Sequence, residues 1–375
     1  MDMHGETPGF RHSLSVTCET HRRNAVSVEP AFDMSLPSDH AGFIDTVWLR
    51  AWAEAFIPGR GWRGPLKIVK ARASAGELLG MAGFARQSFG GLKLAALAGY
   101  YWPWRGIAMG GGVAVDEIAD ALSAQMTRVA PAIAVRMGPL SSQDCDTAAF
   151  VAALQRRGWR GLRRDTGDTF QVRVPATVGE LNAGVSPSLL KNLVYLRRRL
   201  GKHGPVRAVR HVLQGEGAVP LLARLASIER ASWLAGESGE PKFSGVANDA
   251  FWLSIARAPG RTSQAVMWVL SCDDQDLAFS AHLETDSTIW IIANSFDQAW
   301  KAHSPGSLLT LDALHDAVAR GKRLVDWGQG DSGYKSRWGA TPSAKLFDAI
   351  LFRPGPVGAA LHWAARRILR DWTDL

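Results

Sequence analysis

LVDWGQGDSGYKSRWGATP, residues 324–342, decides the reading of the chain, together with the segment that feeds it, HSPGSLLTLDALHDAVARGKR, residues 303–323. Leu324, Val325 and Trp327 make an apolar run long enough for one buried strand. The run breaks at Gly328, Gly330 and Gly333, and Asp331, Tyr334, Lys335 and Trp338 lie among and just beyond those glycines. A strand that runs out into a glycine-rich, polar and aromatic loop is a good place to hold a ligand, because a rigid element positions the loop. Upstream, Ser304, Pro305 and Gly306 predict a helix start. Serine caps, proline suits the first turn, and glycine lets a ligand approach the backbone. The bare N–H groups of such a start attract phosphate.

Outward from this stretch, composition sets limits. The chain has 375 residues, 46% hydrophobic and 21% charged, enough for two domains with real cores. Its 15 tryptophans fit either packed cores or aromatic grooves. A net charge of +8 favours anionic partners without choosing among nucleotide phosphates, nucleic acid and an acidic membrane surface. Cys18, Cys145 and Cys272 are far apart, so neither a disulfide framework nor a Cys/His metal spacing is expected. The first forty residues lack the apolar block of a secretory signal, and no apolar run is long enough to span a membrane. The expectation is a cytoplasmic protein.

Read in order, residues 1–40 are polar and irregular and are expected to be a flexible leader, with one strand near 25–28. Val47, Trp48, Ala51, Trp52, Ala55 and Phe56 recur at helical spacing. Strands are predicted over 66–72, 78–86 and 92–98, with a hairpin at Gly90 and Gly91. The aromatic segment 99–106, GYYWPWRG, reads as a binding lip or as a packed loop. A helix over 118–129, a strand over 132–136, a helix over 146–158 capped near Asp146 and a strand over 169–174 follow. Residues 186–200 read as the clearest helix, with Ser186 capping, Pro187 in the first turn and Leu189, Leu193, Leu196 and Leu200 in register. Arg197, Arg198, Arg199 and Lys202 crowd its C-terminal end, where positive charge suits the helix dipole. They form either a solvated basic end or an anion contact.

A strand over 205–211, helices over 218–233 and 248–258, and a polar loop over 237–245 that could serve as a lid come next. Three strands, 264–270, 276–283 and 288–295, precede the capped helix 305–320 and the strand 324–327. A last strand over 346–352 leads to an amphipathic helix over 355–372, with Leu361, Ala365, Ile368 and Trp372 assigned to one side. That helix either docks on the body or touches an anionic membrane surface. The order strand, strand, strand, helix, strand occurs in 66–136 and again in 264–327, a weak internal duplication. No GxGxxG follows an early strand and no GxxxxGK[ST] occurs, which argues against a doubly wound nucleotide fold.

The sequence GxGDxxYKxxWG after a strand, an SPG helix start, a helix and a second strand resembles the acyltransferases of the GNAT superfamily. Within it the chain is similar to the CelD-like acetyltransferase domain of bacterial cell-surface polysaccharide loci, a relative of the Fem peptidyltransferases. The resemblance spans about residues 41–354 and is strongest over 304–339. It implies an α+β fold of tandem GNAT-like halves, each a mixed, mostly antiparallel sheet flanked by helices. The expected division is a leader over 1–40, an N-terminal half over 41–180, a C-terminal half over 181–354 with the basic helix 186–201 connecting, and a terminal helix over 355–375.

The resemblance also implies direct acyl transfer from a thioester to an amine or hydroxyl. Such a reaction needs alignment of the reactants, polarisation of the carbonyl and a route for one proton, with no covalent enzyme intermediate. Acetyl-CoA or another acyl-CoA is the implied donor, with no metal. Ser304, Gly306, Ser307 and Leu308 would face its phosphates, with Lys301 and His303 adding charge. HSPGSL stands where GNAT enzymes usually carry Q/RxxGxG/A, so the anion-binding logic rests on Gly306 and the helix end. At the reacting centre the resemblance gives Lys335 the developing oxyanion or a donor phosphate. Tyr334 would orient or protonate the leaving thiolate. Asp331 would accept a proton or bind the acceptor, or else cap the loop. His282 is a base candidate or a satisfied strand histidine, and Glu229 a weaker base candidate.

Three functions remain open on the sequence. One is acyl-CoA-dependent N- or O-acylation of a sugar or amino sugar in a bacterial surface polysaccharide pathway. Another is a Fem-like transfer from aminoacyl-tRNA, and the last a non-catalytic scaffold in a synthesis or export complex.

Overall fold

A computed structural model describes residues 14–21, 44–57, 59, 61–89, 92–99, 104–110, 112–129, 132–232, 241–258 and 263–375. The N-terminal part contributes β1 (Ser15–His21), α1 (Thr46–Phe56), β2 (Trp62–Arg72), β3 (Leu78–Phe89), β4 (Leu92–Leu97), β5 (Ala108–Met109), α2 (Val115–Val129), β6 (Ala134–Ser141), α3 (Cys145–Arg156) and β7 (Arg160–Arg173). Next come α4 (Val178–Gly184), α5 (Pro187–Leu200), β8 (Val206–Val212), α6 (Ala218–Arg230) and α7 (Val246–Arg257). The C-terminal part has β9 (Gln264–Cys272), β10 (Gln275–Glu284), β11 (Thr288–Phe296), a 3-10 turn (Gln298–His303), α8 (Pro305–Ala319) and β12 (Leu324–Gln329). A second 3-10 turn (Ser336–Trp338), β13 (Thr341–Phe352), α9 (Pro356–Ile368) and β14 (Thr373–Asp374) complete it.

The strands join in one sheet, in the order β1-β2-β3-β4-β6-β13-β7-β12-β11-β10-β9-β8, with β5 beside β3 and β14 beside β7. The order resolves into two halves of similar arrangement. Each has an antiparallel meander followed by a helical crossover to a parallel neighbour, β4 to β6 in one half and β11 to β12 in the other. The seam is covalently interleaved. β13 returns from the far end of the chain to lie between β6 and β7, and β7 then pairs with β12.

Side-chain alternation explains the layers. On β9, Val266, Trp268 and Leu270 join the core under α5 and α8, while Ala265, Met267 and Val269 join the core under α1, α6 and α7. Both faces are covered, which is why this strand reads as a continuous apolar run. Helices α2 and α3 cover the other face of the N-terminal half.

Several sequence expectations need correction. Residues 15–21 of the expected leader form β1, paired with β2 from Ser15↔Arg72 to His21↔Leu66. The strand expected at 25–28 lies outside the described residues, as do Gly90, Gly91 and part of the aromatic segment 99–106. β7 begins at Arg160, well before the expected 169, because Arg163, Arg164 and Asp165 hide a strand that is half exposed. α4 was missed, although its capping box of Thr177 and Glu180 was readable. Asp144, not Asp146, caps α3. Ser186 and Ser304 precede their helices without a side-chain capping bond. On α9 the inward residues are Leu361, Ala365 and Leu369, while Ile368 points outward.

Candidate functional site

The site grows from a separation of strands. β11 and β12 run parallel and pair only at Thr288↔Leu324, Ile289↔Val325 and Trp290↔Asp326. β11 then continues to Phe296 with β10 on one side and, among the described residues, no strand on the other. A strand edge of this kind presents a row of backbone donors and acceptors to whatever lies beside it. The open edge ends at the start of α8. A Cβ built on Gly306 would lie 3.5 Å from the Phe296 ring.

The helix start is tighter than the sequence suggests. Ser304 takes a left-handed conformation, φ 47°, and its carbonyl accepts the N–H of Ser307 at 3.0 Å and of Leu308 at 3.1 Å. Pro305 has no N–H. Among the described residues, Gly306 therefore carries the first-turn N–H without a backbone partner. Of the expected anion contacts, Ser307 and Leu308 have committed their N–H groups, and the Leu308 side chain is fully buried. Lys301 is exposed on the 3-10 turn just before. His303 is buried beside His203 and Trp300. Burial, then the charges of Arg199 and His203, push its pKa down, so it adds no positive charge at neutral pH.

The glycine turn closes over the same end of the sheet. The Tyr334 hydroxyl lies 3.1 Å from Thr310 Oγ1, which donates to the Gly306 carbonyl at 2.9 Å. This chain of hydroxyls ties the turn to the first turn of α8. Lys335 reaches back under the turn. Its Nζ donates to the carbonyls of Trp327, Gly328 and Gln329 at 2.9, 3.0 and 2.9 Å. Gly328, with φ 68°, and Gly330, with φ 72°, let the backbone curl its carbonyls toward that ammonium. Desolvation lowers the Lys335 pKa, against the raising effect of Asp326 and Asp331. Asp331 caps the turn, accepting from Lys335 N at 2.7 Å, Ser336 N at 3.0 Å and Ser336 Oγ at 2.7 Å. The Ser336 bond and, after a small desolvation cost, the backbone N–H groups hold its pKa down at about 2.

The other candidates sit elsewhere. His282 is buried on β10, with Nε2 2.8 Å from Ser280 Oγ and Nδ1 3.7 Å from Glu284 Oε1. It pairs with Ile291, five residues before Phe296, so it lies about 16 Å back along the strand from the helix start. Its neighbour Glu284 binds Arg210 at 2.8 Å and Arg320 at 2.6 Å. Burial alone would raise the Glu284 pKa, but nearby His282 and the hydrogen bonds from Arg320 and Arg210 overcome it and keep the carboxylate ionised. Glu229 accepts the N–H groups of Lys242, Phe243 and Ser244 at 2.8, 3.1 and 2.9 Å. It pins residues 242–244, the described end of the expected lid. Arg197 is paired with Asp312 of α8 at 2.6 Å, leaving Arg198 and Arg199 exposed. Among the described residues no group of His, Cys, Asp or Glu could hold a metal.

The first half offers a direct comparison. β4 and β6 also pair in parallel, at Ala95↔Val135 and Ala96↔Arg136, and then part. There Arg105 fills the gap. Its guanidinium donates to Gly99 O at 3.1 Å and to Gly138 O, and its own N–H donates to Pro139 O at 2.8 Å. Burial and the neighbouring Arg136 lower its pKa to about 10, with Asp348 opposing, so it stays charged. One parallel seam is closed by a side chain, and among the described residues no side chain is seen to bridge the other in the same way.

The family model for the Acetyltransferase (GNAT) domain matches residues 187–336, the stretch that holds β11, α8, β12 and the glycine turn. Over that stretch the chain is similar to a GNAT domain. Solved structures extend the likeness in fold to both halves. FemX is 13% identical, with a TM-score of 0.53 over 82% of this chain and 93% of FemX. The C-terminal domain of a putative lysylphosphatidylglycerol synthetase from Agrobacterium fabrum is 14% identical, with a TM-score of 0.51 over 89% of this chain and 94% of that one. A conserved protein of unknown function from Bacteroides thetaiotaomicron is 9% identical, with a TM-score of 0.51 over 85% and 94%. A comparison with curated protein sequences returns no match. The GNAT-like stretch thus rests on an acetyltransferase-like fold with Gly306, Thr310, Tyr334 and Lys335 gathered at one end of its parallel seam. Sequence reasoning found the helix start and the turn but missed the open edge of β11, since strand separation depends on pairing partners remote in sequence.

Proposed function

We propose that the chain transfers an acyl group directly from a thioester donor, acetyl-CoA or another acyl-CoA, to an amine or hydroxyl acceptor, with the donor in the seam between β11 and β12. The observation that carries this is the pairing of an open parallel seam in the GNAT-like stretch with its plugged counterpart at Arg105. An extended arm with amide groups matches the free edge of β11 as an added strand would. The Gly306 N–H and the positive end of the α8 dipole suit the donor's phosphates, with Lys301 alongside.

In this reading the Lys335 ammonium acts first on the backbone. It holds the carbonyls of Trp327, Gly328 and Gln329 together, and so keeps the mouth of the seam in shape. Its charge still lies at the end of β12, where negative charge develops on the thioester oxygen. The Tyr334 hydroxyl, bonded to Thr310, is the group placed to deliver a proton to the leaving thiolate. A sugar or amino sugar of a bacterial surface polysaccharide pathway is the acceptor class we assign, acting in the cytoplasm.

Titration calorimetry with acetyl-CoA, followed by transfer of a labelled acetyl group, tests the reading. Micromolar binding that is lost in Gly306→Pro supports it. Absence of both binding and transfer removes it. One observation favours a second donor, aminoacyl-tRNA. The end of α5 packs on the 3-10 turn before α8, so Arg199 adjoins the helix start, with Arg198 and Lys202 exposed nearby. Salt-dependent tRNA binding without acetyl-CoA binding would select that donor.

A further inference from the structure

Helix α9 has two faces, and the fold uses one of them. Leu361, Ala365 and Leu369 pack on a small core of Leu162, Ile350, Phe352 and Trp372. The opposite side leaves Val357 60%, Trp363 58% and Ile368 75% exposed. Single exposed apolar residues are ordinary and need no explanation. Here three lie on one short helix, and they come with a particular charge pattern. Arg367 stacks its guanidinium over the Trp363 ring at 3.8 Å. Arg366 is exposed on the same helix, Arg370 is exposed in the turn just after it, and Arg353 is exposed just before it. Residues 353–375 hold four arginines and two aspartates, a surplus of +2 on a chain of net charge +8. Asp374 is engaged by Arg366 at 2.7 Å, which leaves the outer arginines facing solvent.

We propose that the outer face of α9 docks the protein on an anionic phospholipid surface. At 100° per residue, Val357, Ala360, Trp363 and Arg367 fall within less than half a turn of arc, with Ile368 beside Val357. A helix lying in the membrane plane needs this composition. The indole sits at headgroup depth, the aliphatic side chains enter the acyl boundary, and the arginines snorkel to phosphates. Aliphatic Val357 and Ile368 have no use in an RNA contact, and the arginines repel a basic partner, so lipid is the occupant the face fits. The inference is independent of the donor and acceptor proposed above. No helix among the described residues is long and apolar enough to cross a membrane, so attachment of this kind would be peripheral and salt-sensitive.

The test is co-sedimentation of the full chain with vesicles of phosphatidylcholine alone and with added phosphatidylglycerol. The wild type is expected to partition at least about tenfold more onto the anionic vesicles and to be released in 0.5 M salt, as charge-assisted interfacial binding requires. The double variant Trp363→Ala/Ile368→Ser is expected to lose about tenfold while keeping its melting temperature. If that variant melts early, the single change Ile368→Ser at the most exposed position replaces it, with a loss of several-fold expected. Equal partitioning of wild type and variants, no preference for anionic vesicles, or a variant defect seen in tRNA retention alone would each overturn the proposal.

Discussion

At the scale of single residues, the glycine turn is held by charges that serve the backbone. Lys335 offers its three N–H groups to three carbonyls, so replacing it leaves two part-buried acceptors, those of Trp327 and Gly328, unmet. Lys335→Met is therefore expected to cost roughly 1–3 kcal/mol of stability as well as activity. Thermal melting and steady-state kinetics on the same preparation check this. Loss of turnover with an unchanged melting temperature would mean that the ammonium acts on the donor instead. Asp331 makes a pH prediction. Its folded pKa, about 2, lies below the ordinary 3.8, so its stabilisation is complete above the ordinary value and disappears as pH falls through the folded one. The melting-temperature gap between wild type and Asp331→Asn should be constant above pH 4 and close by about pH 2. A gap independent of pH would contradict the capping role. Gly306 separates fold from function. A Cβ there meets Phe296 at an ordinary 3.5 Å, so Gly306→Ala should leave stability within about 1 kcal/mol. If a phosphate approaches this backbone, KM for the donor should still rise about tenfold, the equivalent of one lost hydrogen bond of ~1.4 kcal/mol. An unchanged KM would place the phosphates elsewhere.

At the scale of elements, the parts that could be read in sequence were those with local causes. Pro305 and Gly306 announced α8, and the run from Gly328 to Lys335 announced the turn, because proline, glycine and alternation act over a few residues. What escaped the sequence depends on partners far along the chain. His282 looked available on an alternating strand, yet Ser280 and the Glu284 cluster enclose it. Lys335 looked like a free cation, yet its acceptors are created by the positive φ of Gly328. Arg105 sat in an aromatic segment read as a binding lip or a packed loop, and it closes the seam between β4 and β6. That closure predicts one donor site per chain. Titration should give a stoichiometry near one in the wild type. Arg105→Ala should not raise turnover, because the first half lacks the turn that Tyr334 and Lys335 supply. A stoichiometry of two in the wild type would contradict the closure.

At the scale of the whole molecule, the halves are bound by strand exchange. β13 pairs with β6 over Leu346↔Ser141 to Phe352↔Ala134, and with β7 along most of its length. β7 passes the sheet on to β12 at Val325↔Val172. A chain built this way should unfold in one cooperative calorimetric transition, and two well-separated transitions would show that the halves are independent. The central claim concerns where the donor lies. Hydrogen exchange followed by mass spectrometry, with and without acetyl-CoA, addresses it most directly. The account predicts new protection in the peptides covering 291–296 and 304–308 and none in those covering 95–99 or 136–140; protection confined to the β4–β6 seam, or none in β11 at saturating ligand, would contradict it.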